Sequence, residues 1–240
     1  MKEDLIKELI ENTKGKSLTE NLKYVSRKFG DSVVFSSSFG MEDQVVTDAI
    51  AKNNLSIKIF TLDTGRNFEE TNYVHNMTNI KYGIKIVTYH PDTKDIEELI
   101  NTKGPYSFYE SVENRKECCF LRKVKPLQRA LKGYSCWITG IRMEQSPDRS
   151  NIQQFEWDET HQLIKFHPLF FWNMAQLEEY IQSNNIPLNE LHKKGYPSIG
   201  CAPCTKAIKP GEDIRAGRWW WETGVKECGL HLHKKEKVTS

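Results

Sequence analysis

Short apolar runs that alternate with helical patterns constrain the fold of this chain more than any other feature. The runs are brief and rich in Val, Ile and Phe, whereas the segments between them repeat apolar residues at the spacing of one helix face. The predicted strands cover residues 31–36, 57–62, 84–89, 134–139 and 163–166. The predicted helices cover residues 42–52, 68–81, 121–132 and 174–183, with two more within residues 5–29. Such alternation is typical of βαβ units, so we expect an α/β fold with a doubly wound, mainly parallel sheet.

The pattern changes near residue 185. Beyond this point proline and glycine interrupt any regular periodicity, at Pro187, Gly195, Pro197, Gly200, Pro203, Pro210, Gly211, Gly217, Gly224 and Gly229. A length of 240 residues suits one large domain with an appendage. We therefore predict an α/β domain with N-terminal helices in residues 1–185 and a loop-rich C-terminal segment in residues 186–240.

Composition and charge exclude several classes of protein. The net charge is only +2, so the overall field gives no reason to expect a nucleic-acid partner. We expect no membrane segment and no signal peptide, because no run of 18 apolar residues occurs and charged residues interrupt the N-terminus. The expected location is the cytoplasm, where six cysteines suit metal, cluster or redox chemistry better than a disulfide framework. The sequence is also compatible with a homo-oligomer.

The loop after the first predicted strand is a candidate anion site. In open α/β sheets, ligands bind beyond the carboxyl ends of the strands, where the strand order reverses. Here Ser36, Ser37 and Ser38 lead through a glycine to a helix start, where backbone N–H groups and the helix dipole favour an anion. The loop is therefore a candidate phosphate cradle. A helix N-cap cluster, with Glu42 and Asp43 in the first turn, explains the same residues equally well.

Two further loops follow strands at the same predicted edge of the sheet. The loop after the second strand holds Asp63 and Gly65, whose backbone groups can contact a base or a ribose, although a plain helix start is the simpler interpretation. The loop after the fourth strand brings Arg142 and Arg149 to this edge. Guanidinium groups suit phosphate or sulfate because they donate two parallel hydrogen bonds, but each arginine alone is also explained by a solvated surface role.

Four of the six cysteines occur in two pairs. Cys118 and Cys119 are adjacent, and Cys201 and Cys204 form a C-x-x-C pair. Two pairs of thiols match tetrahedral zinc or an iron–sulfur cluster, while a redox dithiol and unrelated core thiols are the alternatives. Because neighbouring residues of a helix point in different directions, Cys118 and Cys119 reach one centre only if the helix turn is distorted. Cys136 lies in an apolar strand and is expected to be a core residue.

Cys228 has a different setting from the other cysteines. It lies near the C-terminus between Gly224 and Gly229, with Lys226 and His231 close by in the sequence. Nearby cations lower a thiol pKa, and a glycine-flanked tail can carry the sulfur between two partners. These properties suit a thiolate nucleophile that another thiol later releases. An idle, exposed cysteine is the alternative.

Basic and aromatic residues precede this tail. Arg215 and Arg218 lie three residues apart and share one face if the segment is helical. With Lys206 and Lys209 they suggest a wall that faces an anion. The tryptophans at 219–221 are predicted to pack the C-terminal segment onto the rest of the chain.

Six of these motifs together resemble a known family. They are Ser36-Ser-Ser-Phe-Gly-Met-Glu-Asp, Leu62-Asp-Thr-Gly-Arg, Cys118-Cys119 followed by Arg122-Lys123, Gly140-Ile-Arg-x-x-Gln-Ser, Cys201-Ala-Pro-Cys and Glu227-Cys-Gly-Leu-His. In this order they are similar to the assimilatory, thioredoxin-dependent adenylyl-sulfate reductases of the phosphoadenylyl-sulfate reductase family. The motifs run from residue 36 to 231, so the resemblance covers most of the chain.

The resemblance implies a fold, a reaction and a cofactor. The fold is a nucleotide-binding α/β domain of the adenine-nucleotide alpha-hydrolase-like (PP-loop) type. The thiolate of Cys228 attacks the sulfur of adenosine 5′-phosphosulfate and expels AMP, and a thioredoxin or glutaredoxin-like donor then releases sulfite for cysteine biosynthesis. A [4Fe–4S] cluster is held by Cys118, Cys119, Cys201 and Cys204, with Lys123 beside the cluster and the substrate.

The same resemblance implies contacts with the substrate. Leu62 and Gly65 are expected at the adenosine, and Arg142 joins the substrate-binding set. The residues expected at the phosphosulfate group are Ser36, Ser37, Ser38, Arg149, Arg215, Arg218 and His231.

Three other functions compete with this one. Relatives that act on the 3′-phosphorylated substrate lack the cluster cysteines, which favours the unphosphorylated substrate here, with a phosphoadenylyl-sulfate reductase or a dual-substrate enzyme as the alternative. ATP-dependent adenylating or tRNA-thiolating enzymes share the sheet but carry paired glycines in the first loop, which this chain lacks. A zinc-stabilised nucleotide-binding module explains the paired cysteines but gives Cys228 no task.

Overall fold

The computed structural model describes residues 2–145 and 152–223. The helices are α1 (Lys2–Thr13), α2 (Leu18–Phe29), α3 (Met41–Lys52), α4 (Glu69–Tyr82), α5 (Thr93–Lys103), α6 (Val112–Cys119), α7 (Lys125–Leu131) and α8 (Met174–Asn184). The strands are β1 (Val33–Ser36), β2 (Lys58–Leu62), β3 (Val87–Tyr89), β4 (Cys136–Ile138), β5 (Phe155–Asp158) and β6 (Leu163–Phe166). None of the helices described has the length and apolar character needed to cross a membrane.

The six strands form one mainly parallel sheet in the order β3-β2-β1-β4-β6-β5. Strand β1 pairs in parallel with β2 and with β4, β4 pairs in parallel with β6, and β5 runs antiparallel to β6. Because the chain adds strands first on one side of β1 and then on the other, the order reverses between β1 and β4. Ligands bind at such a switch point in open α/β sheets. The predicted α/β class is therefore confirmed.

The central strands are recognisable from sequence because both of their faces are buried. Val33, Val34 and Phe35 of β1 and all three residues of β4 are buried, so these strands are short and almost continuously apolar. Cys136 is fully buried in the core, as its apolar surroundings predict.

Helix α2 begins with a reciprocal capping box between Ser17 and Glu20.

Three elements were not predicted. Strand β5 was missed because four residues of alternating apolar and polar character are too short to indicate a strand, and its pairing with β6 defines it. Helices α5 and α6 were also missed, since charged residues dominate both. The helix predicted at residues 121–132 consists of a π-helical turn, Phe120–Val124, followed by α7.

Within the described residues the chain forms two compact units. Unit 1 takes its chain from residues 2–61, 73–87, 131–145 and 152–189, and unit 2 from residues 62–72, 88–130 and 190–223. The boundary predicted after residue 185 lies close to the start of the last segment of unit 2, but unit 2 also includes two earlier segments. The division of the chain into two domains at residue 185 stays a prediction.

Candidate active site: a serine loop and a cysteine-lined cavity

The serine loop of unit 1 comprises residues 36–40, and it leads from the end of β1 to α3 at the switch point of the sheet. The indole Nε1 of Trp137 donates to Ser36 Oγ at 2.7 Å, so β4 fixes the first serine. The backbone N–H of Ser37 donates to the carbonyl of Phe60 at 2.8 Å, which anchors the second serine to β2. Ser38 is exposed, and it marks the point at which the loop meets solvent.

Asp43, in the first turn of α3, holds the end of this loop. One carboxylate oxygen, Oδ2, accepts the backbone N–H of Ser38 at 2.6 Å and the Ser38 hydroxyl at 2.7 Å. A backbone hydrogen bond from Gly140 also reaches the carboxylate. A Cβ atom at Gly140 would lie 2.2 Å from Asp43 Oδ1, so only glycine fits there. Burial raises the pKa of Asp43 to about 6, and the charge of Glu42 adds to this effect, although the bonds from Ser38 and Gly140 oppose it.

Arg142 occupies the loop after β4, but its guanidinium is not exposed. The side chain is only 3% exposed, and its Nε lies 2.9 Å from Glu42 Oε1. Its Nη1 donates to the carbonyl of Trp172 at 3.2 Å. Its predicted contact with substrate stays a prediction. Arg149, expected on the same loop, lies outside the described residues.

The four paired cysteines line one cavity in unit 2. The cavity is partly open to solvent. Its other lining residues are aromatic or cationic: Phe108, Arg66, Arg115, Arg122 and Lys123. All five cysteines in the described part of the chain are present as thiols. Two cysteine pairs that lie far apart in the sequence thus share one site.

A local change of helix geometry accompanies the adjacent pair. Cys118 and Cys119 end α6, and the chain then widens into the π-helical turn Phe120–Val124, which carries Lys123. Adjacent cysteines of a helix reach one centre only if the helix turn is distorted, and π turns occur frequently at functional sites.

The second pair flanks a short 3-10 turn, Ala202–Cys204. The N–H of Ala202 donates to the carbonyl of Arg66 at 2.8 Å, and the N–H of Trp219 donates to the carbonyl of Cys204 at 3.1 Å. The Tyr109 hydroxyl donates to the carbonyl of Pro203 at 2.5 Å. These bonds fix the backbone that presents both thiols.

The thiols that line the cavity differ in their pKa values because their surroundings differ. Burial by itself would raise the pKa of Cys201, but the charge of Lys123 and a hydrogen bond with Thr64 act against burial, and the pKa falls below its ordinary value. Burial and the neighbouring Cys201 raise the pKa of Cys204 to about 12. Burial also raises the pKa of Cys118. Since one ionised thiol opposes ionisation of the next, a positive group bound among them is needed before all four can be thiolates.

Three buried N–H groups around the cysteines lack an acceptor among the described residues. They are Arg122 Nε, Arg218 Nε and Trp219 Nε1, on side chains at least nine-tenths buried. Buried donors without partners are rare in folded proteins, so they indicate an acceptor that binds here. No three or more Cys, His, Asp or Glu of the described residues are arranged to hold a single metal ion.

The remaining predicted residues have varied settings. Gly65 has a positive φ of 68°, which explains the glycine in its motif, and Leu62 ends β2. The segment with Arg215 and Arg218 forms turns instead of a helix, so these arginines do not share a helix face. Arg218 is buried against the Trp219 ring at 4.8 Å, and Trp219 packs in a buried cluster with Leu99 and Phe108. Cys228 and His231 lie outside the described residues.

Some residues of the cavity had no signal in the sequence. Arg115 forms a two-pronged ion pair with Glu222, with N–O distances of 2.9 and 2.7 Å, and its guanidinium lies 4.5 Å from the Trp219 ring centre. The two partners are 107 residues apart in the chain, so no spacing rule connects them. Arg66, which lies 4.9 Å from the Phe108 ring centre, was visible only as the last letter of a motif.

The class of protein defined here is an α/β protein with a serine loop at the switch point of its sheet and a cationic, thiol-lined cavity. The chain matches the phosphoadenosine phosphosulfate reductase domain family over residues 32–207. The adenosine 5′-phosphosulfate reductase of Agrobacterium fabrum is 46% identical over 225 residues, which are 93% of this chain and 86% of that protein. The enzyme of the same name from Rhizobium meliloti is 50% identical over 200 residues, with 83% and 76% of the two chains covered.

Solved structures agree with this assignment. The phosphoadenylyl-sulfate reductase of Candida auris, solved as a phosphate complex, superposes with a TM-score of 0.74 at 28% identity, covering 87% of this chain and 98% of that one. The FMN adenylyltransferase of Candida glabrata has a TM-score of 0.52 at 15% identity, covering 80% and 65%, and it shares the fold alone. The chain belongs to the phosphoadenosine phosphosulfate reductase family, and the resemblance found in its motifs is confirmed.

The buried Arg115–Glu222 pair gives a direct test of the cavity wall. Both side chains are less than a tenth exposed, so Glu222→Gln leaves a buried guanidinium charge without its counterion. We expect the free energy of unfolding to fall by about 3–5 kcal/mol, measured by urea unfolding without oxygen. The matched control is Glu117→Gln at the exposed Lys103–Glu117 pair, which should cost less than about 1 kcal/mol. Equal losses for the two variants would contradict a structural role of the buried pair.

Proposed function

We propose that this protein reduces adenosine 5′-phosphosulfate to sulfite and AMP in sulfate assimilation and cysteine biosynthesis. It acts in the cytoplasm, with a thioredoxin or glutaredoxin-like protein as the electron donor. One observation carries the proposal: four cysteines and Lys123 line a single cavity in unit 2. The relatives that share most of the chain's length at 46–50% identity bear the name of this activity.

The choice of substrate rests on the same comparison. The Candida auris structure is of a phosphoadenylyl-sulfate reductase, and it is only 28% identical to this chain. The more similar proteins are named for the substrate without the 3′-phosphate. The paired cysteines favour the same substrate. An ATP-dependent adenylating activity has only the shared fold in its support.

The cavity supports a [4Fe–4S] cluster bound by Cys118, Cys119, Cys201 and Cys204. Four thiolates around a positively charged iron–sulfur core form an assembly with a net negative charge, which suits the nearby cations. The sulfur atoms of this assembly accept hydrogen bonds from the buried N–H donors. When bound, the cluster supplies a delocalised negative charge beside Lys123 and the surrounding arginines.

Removal of one thiol tests the cluster. We expect Cys204→Ser, purified without oxygen, to lose most of its iron and acid-labile sulfide, because one of four ligands is gone. Cys136→Ala is the matched control, since Cys136 lies in the core of unit 1 and should leave both contents unchanged. Zinc without labile sulfide in the unaltered protein would refute the cluster.

The reaction needs one nucleophile and one external dithiol. The Cys228 thiolate attacks the sulfur of adenosine 5′-phosphosulfate, a sulfur–sulfur bond forms, and the sulfur–oxygen bond breaks with its electron pair leaving on AMP. The first donor thiolate then attacks Cys228 Sγ and releases sulfite. The second donor thiol resolves the mixed disulfide, so the donor is oxidised by two electrons and Cys228 is regenerated.

The other site residues are assigned by the same family resemblance. Leu62 and Gly65 contact the adenosine, and Arg142 supports the substrate site. The phosphosulfate contacts are assigned to Ser36, Ser37, Ser38, Arg149, Arg215, Arg218 and His231.

The covalent intermediate is the most direct test of the proposed function. Incubation with adenosine 5′-phosphosulfate, without a thiol donor, should add a sulfite-sized mass to Cys228, located by peptide mapping. Reduced thioredoxin should remove the adduct, and Cys228→Ser should never acquire it. If the unaltered protein stays unmodified with this substrate and with its 3′-phosphorylated form, the proposed chemistry is wrong.

Lys123 is proposed to stabilise the negative charge that develops on the departing AMP. Its place on the π-helical turn brings a cation to the cysteine cavity, where water is partly excluded. We expect Lys123→Ala to slow adduct formation by about 10²-fold while the visible spectrum of the cluster stays unchanged. The control is Lys116→Ala, which removes an exposed lysine of α6. Equal rates for both variants would exclude this role.

A further inference from the structure

The hydrogen-bonding capacity of the serine loop depends on Asp43. An anion held by hydroxyl groups needs their hydrogens. Ser36 can provide one, because the Trp137 indole only donates and leaves the hydrogen of Ser36 available to a ligand. Ser38 differs, because its hydroxyl lies 2.7 Å from Asp43 Oδ2. An ionised carboxylate only accepts hydrogen bonds, so it takes up the hydroxyl hydrogen of Ser38.

Protonation of Asp43 reverses this bond. A protonated carboxyl donates its hydrogen to Ser38 Oγ and still accepts the backbone N–H of Ser38, which lies 2.6 Å away. The hydroxyl hydrogen of Ser38 is then released toward solvent, where this serine is exposed. The backbone of the loop need not move, since both forms keep the same two contacts.

We propose that Asp43 takes up a proton when the anionic substrate binds. The Ser38 hydroxyl then donates its hydrogen bond to the substrate instead of to Asp43. Asp43 is a positioning residue in this scheme, because it acts through Ser38. The inference rests on the proposed function, in which the serine loop contacts the phosphosulfate group.

The surroundings of Asp43 favour this uptake. Asp43 is 8% exposed, and Gly140 packs so closely that a Cβ there would lie 2.2 Å from Asp43 Oδ1. The charge of Glu42 on α3 acts on Asp43, and Arg142 after β4 pairs with Glu42 at 2.9 Å. On α4, the ring of His75 stacks on Phe39 of the serine loop at 4.8 Å. The pKa of Asp43 already stands at about 6 without substrate, and a bound anion raises it further.

The sign of the pH dependence follows from this order of pKa values. Below about pH 6 the proton is already present, so binding needs no uptake. Above this pH the free protein must first gain a proton, and the dissociation constant rises by about tenfold per pH unit until the pKa of the bound form is reached. Substrate binding therefore weakens as the pH increases above about 6.

Calorimetry on the Cys228→Ser protein tests the inference, since the substrate binds there without sulfite transfer. Titration with adenosine 5′-phosphosulfate at about pH 7.5, in buffers of different ionisation enthalpy, measures the protons taken up. We expect a net uptake of up to one proton per substrate bound, and almost none when Asp43→Asn is added, because the amide side chain has no titrating proton. Asp92→Asn, at the exposed N-cap of α5, should leave the uptake unchanged.

The outcomes separate this inference from the proposed function. If the substrate does not bind to Cys228→Ser at any pH, the proposed function fails. If Cys228→Ser and the double variant with Asp43→Asn bind the substrate with equal proton uptake, the role of Asp43 is overturned and the proposed function stands. Should Asp43→Asn not fold, infrared difference spectra with ¹³C-labelled aspartate decide: substrate addition must produce a protonated carboxyl band, and its absence refutes the inference.

Discussion

Parallel pairing of β1 with both β2 and β4 is the constraint on which unit 1 depends. It reverses the strand order beside β1 and brings the ends of β1 and β4 together. The hydrogen bond from Trp137 to Ser36 and the close approach of Gly140 to Asp43 both follow from this neighbourhood. The serine loop is therefore held on two sides by one pairing, and rigid strands position it more accurately than a loop could position itself.

Unit 2 shows a different balance of forces. Cationic side chains and thiols share a small cavity, and the cations are held by carbonyl groups, aromatic faces and one buried carboxylate. Arg122 donates to the carbonyl of Thr64 at 2.6 Å, and Arg66 donates to that of Pro105 at 2.5 Å. Such an arrangement concentrates positive charge, which is costly unless an anionic group completes it. The proposed cluster would provide that anion.

Much of the fold could be predicted from the sequence, because its signals are local. The buried strands β1 and β4 appear as apolar runs, and α3 and α4 as periodic segments between strands. Strand β5 could not be predicted, because only its pairing with β6 identifies it as a strand. Helices α5 and α6 could not be predicted either, because their many charged residues leave no clear apolar periodicity.

The candidate site also combines features that are local in the sequence with features that only the tertiary structure shows. The two cysteine pairs were visible as local spacings, but their meeting in one cavity depends on tertiary structure. The Arg115–Glu222 pair depends on residues more than a hundred positions apart, and the bond between Asp43 and Ser38 was indistinguishable in sequence from an ordinary helix cap. For Cys228, His231 and Arg149 the sequence remains the only source.

The π-helical turn at Phe120–Val124 has a consequence for how such a site can change. A π turn holds one more residue than an α turn, and each residue of an α-helix advances the direction of its side chains by about 100°. Loss of one residue from this turn would restore a regular helix and rotate Cys118 and Cys119 relative to α7. A single-codon deletion could therefore separate the adjacent thiols from the lysine that follows them, while both helices kept their own length and buried faces. The orientation of the cysteine pair relative to Lys123 thus depends on one inserted residue, which a single mutational step can add or remove.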